Sequence, residues 1–248
     1  MSGDRWSLKE NQMGYVAFDL EIADDLPGDD EEMRHDLGIT CAATVTDTGR
    51  TRVWHDNYAE RMSKERACEL VKYLATQHAE NGKTIVTWNG LGFDFRVLQE
   101  ASGMNVICQS LAINHIDIAF HMLCDKGFMC KLDKAAQGMN MEGKTEGMTG
   151  AIAPELWRRD RASQDMVLEY VKQDAVVTAE LYERILEDRQ MRWVTGRGNL
   201  GYWYPQMSEG RLLTVGEAVT LEQPDVSWMD DPSIWDRNRF YGWVKESP

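Results

Sequence analysis

Two acids, Asp19 and Glu21, lie within the apolar run VAFDLEIA at residues 16–23. In a β-strand, side chains two positions apart point to the same side, so both carboxylates would project from one face. Two like charges that are side by side and partly desolvated are unfavourable unless a cation neutralises them. The pair therefore favours a metal site. The alternative is an exposed edge strand whose acids lie in water.

Two further stretches carry polar side chains that would suit the same site. In WNGLGFDF (88–95), a buried strand ends at a turn and Asp94 falls in the first turn of the next helix, where the helix dipole favours an acid. In EYVKQD (169–174), Tyr170 and Asp174 are one helical turn apart and share a face. Each stretch is weak alone, because Asp94 could be a simple N-terminal charge and a Y-x-x-x-D pattern occurs by chance in many helices.

Taken in chain order, three segments resemble the motifs of the DEDDy 3′–5′ exonucleases: FDLE (18–21), NGLGFD (89–94) and YVKQD (170–174). This superfamily includes RNase D and the proofreading domains of B-family DNA polymerases. The segment CKLDKAAQGM (130–139) is similar to a helix that such domains carry between the second and third motifs. The resemblance extends over residues 14–190 and implies an RNase H-like α/β fold, a mixed sheet flanked by helices.

By this resemblance, four carboxylates would bind metal: Asp19, Glu21, Asp94 and Asp174. Two Mg²⁺ or Mn²⁺ ions are expected, because oxygen ligands suit these ions and the sequence has no clustered Cys or His for zinc. Asp19 would bridge both ions, Glu21 and Asp174 would complete the first, and Asp94 would hold the second through water. Tyr170 would orient the attacking water.

Other residues are expected to contact the substrate or to support the site. The resemblance places Leu20, Asn89 and Phe93 at the terminal nucleotide, Phe93 by stacking, although Phe93 is equally compatible with the core. For Asp117, within HIDIAF, we favour a helix cap or a supporting role over metal ligation. The basic run WRRDR at 157–161 could contact phosphates, with a solvated face as the alternative.

Hydrophobic periodicity predicts the elements that must position these residues. Strands are predicted at 15–22, 38–46, 51–55 and 84–88, with a further strand either at VICQS (106–110) or in the apolar run before Asp117. Helices are predicted at 63–80, with Ser63 as N-cap, at 93–101, at 118–125 and at 163–192. Strands first and strand–helix alternation afterwards are typical of an α/β domain with a mixed sheet.

The composition changes near residue 195, which suggests two regions. We predict an RNase H-like exonuclease domain at 1–195 and a C-terminal extension of unknown role at 196–248. The extension begins with a loop, GRGNLGYWYPQ, continues with a capping box, TVGE at 214–217, and is aromatic but poor in aliphatic residues. We therefore expect it to pack on the main domain. An acidic loop is predicted directly after the first strand, at 24–35.

The 248-residue chain carries a formal net charge of −14, which disfavours a grip on long duplexes by phosphate neutralisation. Its five scattered cysteines form no C-x-x-C pair, so neither a disulfide framework nor a zinc knuckle is indicated. No apolar run approaches the roughly 18 residues of a membrane span, and the polar N-terminal residues lack a signal-peptide core. We expect a cytoplasmic protein that does not engage a membrane.

The expected function is metal-dependent 3′–5′ exonuclease activity on a single-stranded DNA or RNA 3′ end, with release of nucleoside 5′-monophosphates. Two alternatives remain open. One is an RNase H-like endonuclease, and the other is an inactive adaptor on the same fold that binds nucleic acid or protein. The intact acids argue against the adaptor. The sequence identifies no protein partner.

Overall fold

The computed structural model describes residues 14–26, 37–141 and 150–245. The main sheet contains β1 (Tyr15–Ile22), β2 (Ile39–Thr46), β3 (Thr51–Trp54), β4 (Thr84–Thr87) and β5 (Ile116–Asp117). The helices of the same region are α1 (Lys64–Ala79), α2 (Asp94–Ser102), α3 (Asn105–Asn114), α4 (Ile118–Lys126), α5 (Leu132–Gly138), α6 (Ala153–Arg159) and α7 (Arg161–Asp188). The C-terminal segment adds β6 (Met191–Val194), β7 (Leu200–Trp203), β8 (Met207–Ser208), β9 (Arg211–Leu212), α8 (Val215–Ala218) and α9 (Arg237–Lys245).

The main sheet is mixed, as predicted, and its strand order is β3-β2-β1-β4-β5. The strands β1, β2 and β3 pair antiparallel, whereas β4 pairs parallel with both β1 and β5. The central strand is β1, which explains its apolar flanks, because a central strand covered on both faces has little contact with water. Asp19 and Glu21 therefore lie in the middle of the sheet, and the edge-strand alternative for this pair is wrong.

Helices cover both faces of the sheet. One face of β1, with Tyr15 and Ala17, packs against α7 and the helices next to it, while the other face, with Val16, Phe18 and Leu20, packs against α1, α2 and α3. The alternation of side chains along β1 puts Asp19 and Glu21 on the side of α7. The fold is thus an α/β layer structure that brings the long helix α7 over the two acids.

Most of the predicted elements agree with the structure, and the largest correction concerns residues 105–114. The segment VICQS is part of helix α3, so the first of the two alternatives for the further strand is wrong. The second agrees with the structure, where the two-residue strand β5 ends at Asp117. Cys108, Leu111 and Ala112 are buried at helical spacing while Val106 is 80% exposed. A surface helix needs this one-sided burial.

Helix α1 begins after Ser63, whose side chain accepts a hydrogen bond from Arg66 N, so that cap is confirmed. The long helix α7 ends at Asp188 and not at residue 192, because Arg189 has the left-handed φ of 56° and Met191 begins β6.

The C-terminal segment packs on the main domain and is more regular than predicted. Strands β6 and β7 form an antiparallel hairpin, so residues 200–203 are a strand where a loop was predicted. Gly138 of α5 lies directly against the backbone of Arg192 in β6, a contact that leaves no room for a Cβ atom. The two strands lie on either side of residue 195, and the domain boundary there stays a prediction.

A short helix follows, and its capping box is confirmed: the Thr214 hydroxyl accepts a hydrogen bond from Glu217 N at the start of α8, and the Glu217 carboxylate accepts one from Thr214 N. Residues 27–35 of the predicted acidic loop at 24–35 lie outside the described residues, as do residues 1–13. Within the described parts of the chain, the structure has no helix long and apolar enough to cross a membrane.

Candidate active site

The two acids of β1 lie near its carboxyl end. Asp19 is half-buried and the Glu21 side chain is almost wholly covered, with 6% exposure. On the neighbouring strand, Cys41 stands opposite Glu21, and burial together with the charges of Glu21 and Asp19 raises the pKa of the Cys41 thiol. The charges of both carboxylates thus affect the pKa of the same thiol, as expected if the two acids share one face of β1.

Asp94 is tied directly to that strand. It is the first residue of α2, is 3% exposed, and its Oδ1 atom accepts a hydrogen bond of 3.1 Å from the backbone N–H of Leu20. Burial raises the pKa of Asp94, and the nearby carboxylates of Asp117 and Asp174 raise it further. The structure therefore brings the acid of the second motif to the backbone of the strand that carries the first, although the two motifs are far apart in sequence.

Tyr170 and Asp174 lie on the face of α7 that packs on β1 and β2. Tyr170 is 2% exposed and Asp174 is 5% exposed, and the buried residues Val167, Val171 and Ala175 flank them on the helix. The spacing of one helical turn places both polar groups at the same buried surface, as predicted. The negative charge of Asp174 raises the pKa of Asp94, so the two carboxylates lie near each other. Helix α7 therefore contributes to the same region as α2 and β1.

Asp117 is buried and accepts hydrogen bonds from the backbone next to the candidate site. Its carboxylate accepts a hydrogen bond from Phe120 N at 3.0 Å, so it caps α4, and it accepts two more from Asn89 N and Leu91 N, both at 2.9 Å. Burial raises its pKa to about 6. The predicted helix cap is confirmed. Sequence reasoning missed the two bonds to the 89–91 backbone, because Asp117 pairs with a turn 26–28 residues earlier in the chain.

The three predicted substrate residues occupy different environments. The Leu20 side chain is 3% exposed and belongs to the core between the sheet and α1–α3, so its backbone, not its side chain, reaches Asp94. Phe93 is half-buried and packs against the same core. Asn89 has a left-handed φ of 65°, and its buried Oδ1 atom accepts no hydrogen bond from the described residues. Asn89 and Phe93 thus lie on the turn that leads into Asp94.

The basic run at 157–161 contacts acids that follow β1. Arg158 donates to both carboxylate oxygens of Asp25, each at 3.0 Å, and to the carbonyl of Ala23. Arg61 forms an ion pair with the neighbouring Asp24. These guanidinium groups offset the negative charges of Asp25 and Asp24. Sequence reasoning missed both pairs, because Arg158 and Asp25 are 133 residues apart and no local pattern links them.

The acids suit a hard divalent cation by donor type, because their carboxylate oxygens are the ligands that Mg²⁺ and Mn²⁺ prefer. Burial of Asp94 beside Asp117 and Asp174 also creates an electrostatic cost that a cation would offset. Within residues 14–26, 37–141 and 150–245, however, no group of three or more His, Cys, Asp or Glu side chains is arranged to hold a metal ion. These residues therefore fit a divalent cation in their donor chemistry and in their charge.

Comparisons with known proteins agree with this architecture. A family model of the RNase H superfamily matches residues 30–186, a range that begins after β1 and includes Asp94, Tyr170 and Asp174. No curated protein matches the chain. Among solved structures, a family B DNA polymerase from the hyperthermophilic archaeon Pyrobaculum calidifontis is similar, with a TM-score of 0.53 at 20% sequence identity.

The structural match covers 71% of this chain and 25% of the polymerase, so the chain spans a quarter of that protein's length. At this identity the likeness shows the fold alone, and it agrees with the mixed sheet and its covering helices. The family model, in turn, matches more than half of the 248 residues. The chain therefore belongs to the RNase H superfamily, and its fold is of the nuclease type.

Proposed function

We propose that the protein is a metal-dependent 3′–5′ exonuclease that hydrolyses phosphodiester bonds at the 3′ end of single-stranded nucleic acid and releases nucleoside 5′-monophosphates. The observation that carries the proposal is the hydrogen bond from Leu20 N to Asp94. It joins the acid of α2 to the strand that carries Asp19 and Glu21, while Asp174 of α7 lies near enough to raise the pKa of Asp94.

Four acids would hold the metal ions in this proposal: Asp19, Glu21, Asp94 and Asp174. When bound, two Mg²⁺ or Mn²⁺ ions activate a water molecule and stabilise the leaving 3′ oxygen. The protein supplies the carboxylates from three elements, β1, α2 and α7, whose mutual packing sets their positions. Because Glu21, Asp94 and Asp174 are buried, their positions depend on the surrounding core and not on flexible surface loops.

Tyr170 would orient the attacking water through its hydroxyl group. Its ring is held in the core beneath α7, one turn before Asp174. A side chain locked in this way can present a hydroxyl at a fixed position with little loss of conformational entropy on binding. This role distinguishes the proposed subtype from a nuclease in which the tyrosine only packs.

The turn before α2 would receive the terminal nucleotide. Asn89 and Phe93 are both half-buried on this turn, where Asn89 would contact the nucleotide and the ring of Phe93 would stack on it. Leu20 would act through its backbone, since its amide holds Asp94. A grip on a few nucleotides of this kind is compatible with the net charge of −14.

The test uses purified wild type, Asp19→Ala and Glu65→Ala, a matched control because Glu65 is an exposed acid in the first turn of α1. Single-stranded DNA and RNA, 5′-labelled, are incubated with Mg²⁺ or Mn²⁺, and products are resolved over time. Wild type and Glu65→Ala should shorten a linear strand from its 3′ end, and Asp19→Ala should not.

Two results would contradict the proposal. Cleavage of circular single strands at the same rate as linear ones would identify an endonuclease instead. Absence of cleavage of every substrate by the wild type would favour a binding adaptor.

A further inference from the structure

The turn at Asn89–Gly92, which we call the 89–92 turn, is held from two sides. From the interior, Asp117 accepts hydrogen bonds from Asn89 N and Leu91 N. From the other side, Trp243 of α9 donates its indole Nε1–H to the carbonyl oxygen of Leu91 at 2.9 Å. Both backbone polar groups of Leu91 are therefore bonded, one to the main domain and one to the C-terminal segment.

A second contact brings α9 against the same turn. A Cβ atom placed on Gly92 would lie 2.9 Å from Phe240 Cδ1 and 2.6 Å from Asn89 Oδ1. These distances are shorter than a carbon–carbon or carbon–oxygen van der Waals contact allows. The absence of a side chain at Gly92 thus lets the Phe240 ring and the Asn89 side chain both approach the turn.

Helix α9 has a fixed position of its own. Arg237, at its first residue, is 7% exposed and donates hydrogen bonds to four backbone carbonyls, those of Val219, Leu221, Glu222 and Cys124. Cys124 belongs to α4, the helix that Asp117 caps at its other end. The helix that contacts the 89–92 turn is thus anchored to the same part of the domain as Asp117.

We propose that the C-terminal segment contributes to the active site and that Trp243 is a positioning residue for Asn89 and Asp94. The catalytic test of this proposal rests on the exonuclease function proposed above. Asp94 begins α2 two residues after Gly92, so a shift of the turn moves its carboxylate. A net hydrogen bond shifts an equilibrium about fivefold, and a displacement of about 1 Å at reacting groups costs up to about 100-fold in rate.

The experiment compares Trp243→Phe with Trp228→Phe. Trp228 is a matched control because it lies in the same C-terminal segment and donates its indole N–H to a backbone carbonyl, that of Asp225, at 3.1 Å. Its ring contacts Phe128, and among the described residues no hydrogen bond or ring contact joins it to the 89–92 turn. Each substitution keeps an aromatic ring and removes one N–H donor.

Two measurements are made on the full chain. Steady-state cleavage separates kcat from KM, and hydrogen exchange followed by mass spectrometry reports the backbone of residues 89–95. Trp243→Phe should lower kcat fivefold to 100-fold and raise exchange at 89–95, whereas Trp228→Phe should change neither. Thermal unfolding of both variants shows whether each remains folded at the assay temperature.

Equal kcat values for Trp243→Phe and wild type would overturn the proposal, as would unchanged exchange at 89–95. A fall in kcat that only matches the fraction of unfolded protein would also overturn it. If the wild type cleaves nothing, the exonuclease function fails by itself, and exchange decides the inference: faster exchange in Trp243→Phe supports it and equal exchange refutes it.

Discussion

Replacing Asp94 by Asn removes a buried charge while keeping the size of the side chain and an oxygen that can accept from Leu20 N. Asp94 is 3% exposed, and burial together with Asp117 and Asp174 raises its pKa in the folded state. Ionisation of this group therefore costs folding free energy in the absence of a cation. We expect Asp94→Asn to abolish cleavage and, in metal-free buffer, to be more stable than wild type.

The expected gain in stability of Asp94→Asn scales with the rise in the pKa of Asp94 in the folded state. Each unit by which the folded pKa exceeds the unfolded value lowers the free energy of unfolding by about 1.4 kcal/mol at pH values above both. Even a single unit corresponds to a rise of roughly 3–6 °C in the unfolding midpoint for Asp94→Asn in a chain of this length. Because the folded pKa is raised, wild type loses stability as pH rises through it, and the advantage of the variant should vanish near pH 4.

The assay is thermal unfolding of wild type, Asp94→Asn and Glu65→Gln between about pH 4 and pH 8, with EDTA and then with Mn²⁺. Glu65 is an exposed first-turn acid, so its substitution should change stability by less than about 0.5 kcal/mol. Mn²⁺ should stabilise wild type and Glu65→Gln but have little effect on Asp94→Asn, because binding to the folded state alone raises stability. A variant that is no more stable than wild type near pH 8 in EDTA would refute the reasoning.

Two other predictions test the proposed chemistry. Tyr170→Phe should lower the single-turnover cleavage rate about 10²–10⁴-fold with little change in substrate affinity. Tyr182→Phe, a control at another buried tyrosine of α7, should leave the rate unchanged. Equal rates for Tyr170→Phe and wild type would mean that Tyr170 only packs in the core. EDTA should abolish cleavage and added Mg²⁺ or Mn²⁺ should restore it, because the candidate ligands are all carboxylates; activity that persists after exhaustive chelation would exclude the two-metal proposal.

Local patterns in the sequence determined much of this protein. The apolar run around Asp19 and Glu21 predicted β1 at residues 15–22, and the structure has the strand at Tyr15–Ile22. The Tyr170 and Asp174 spacing predicted one shared helix face, which the structure buries, and Ser63 and Thr214 predicted two helix caps. These features depend on residues within one turn or one strand of each other, where side-chain periodicity and capping act directly.

Tertiary packing decided the rest. VICQS has the β-branched residues of a strand, yet it is helical because one side of that helix, at Cys108 and Leu111, is buried against the domain. Arg158 meets Asp25 across 133 residues and Trp243 meets Leu91 across 152 residues. No local pattern encodes such partners, because a hydrogen bond between distant segments forms only after the core has brought their backbones together. The support of the 89–92 turn by the C-terminal segment is therefore a property of the folded chain.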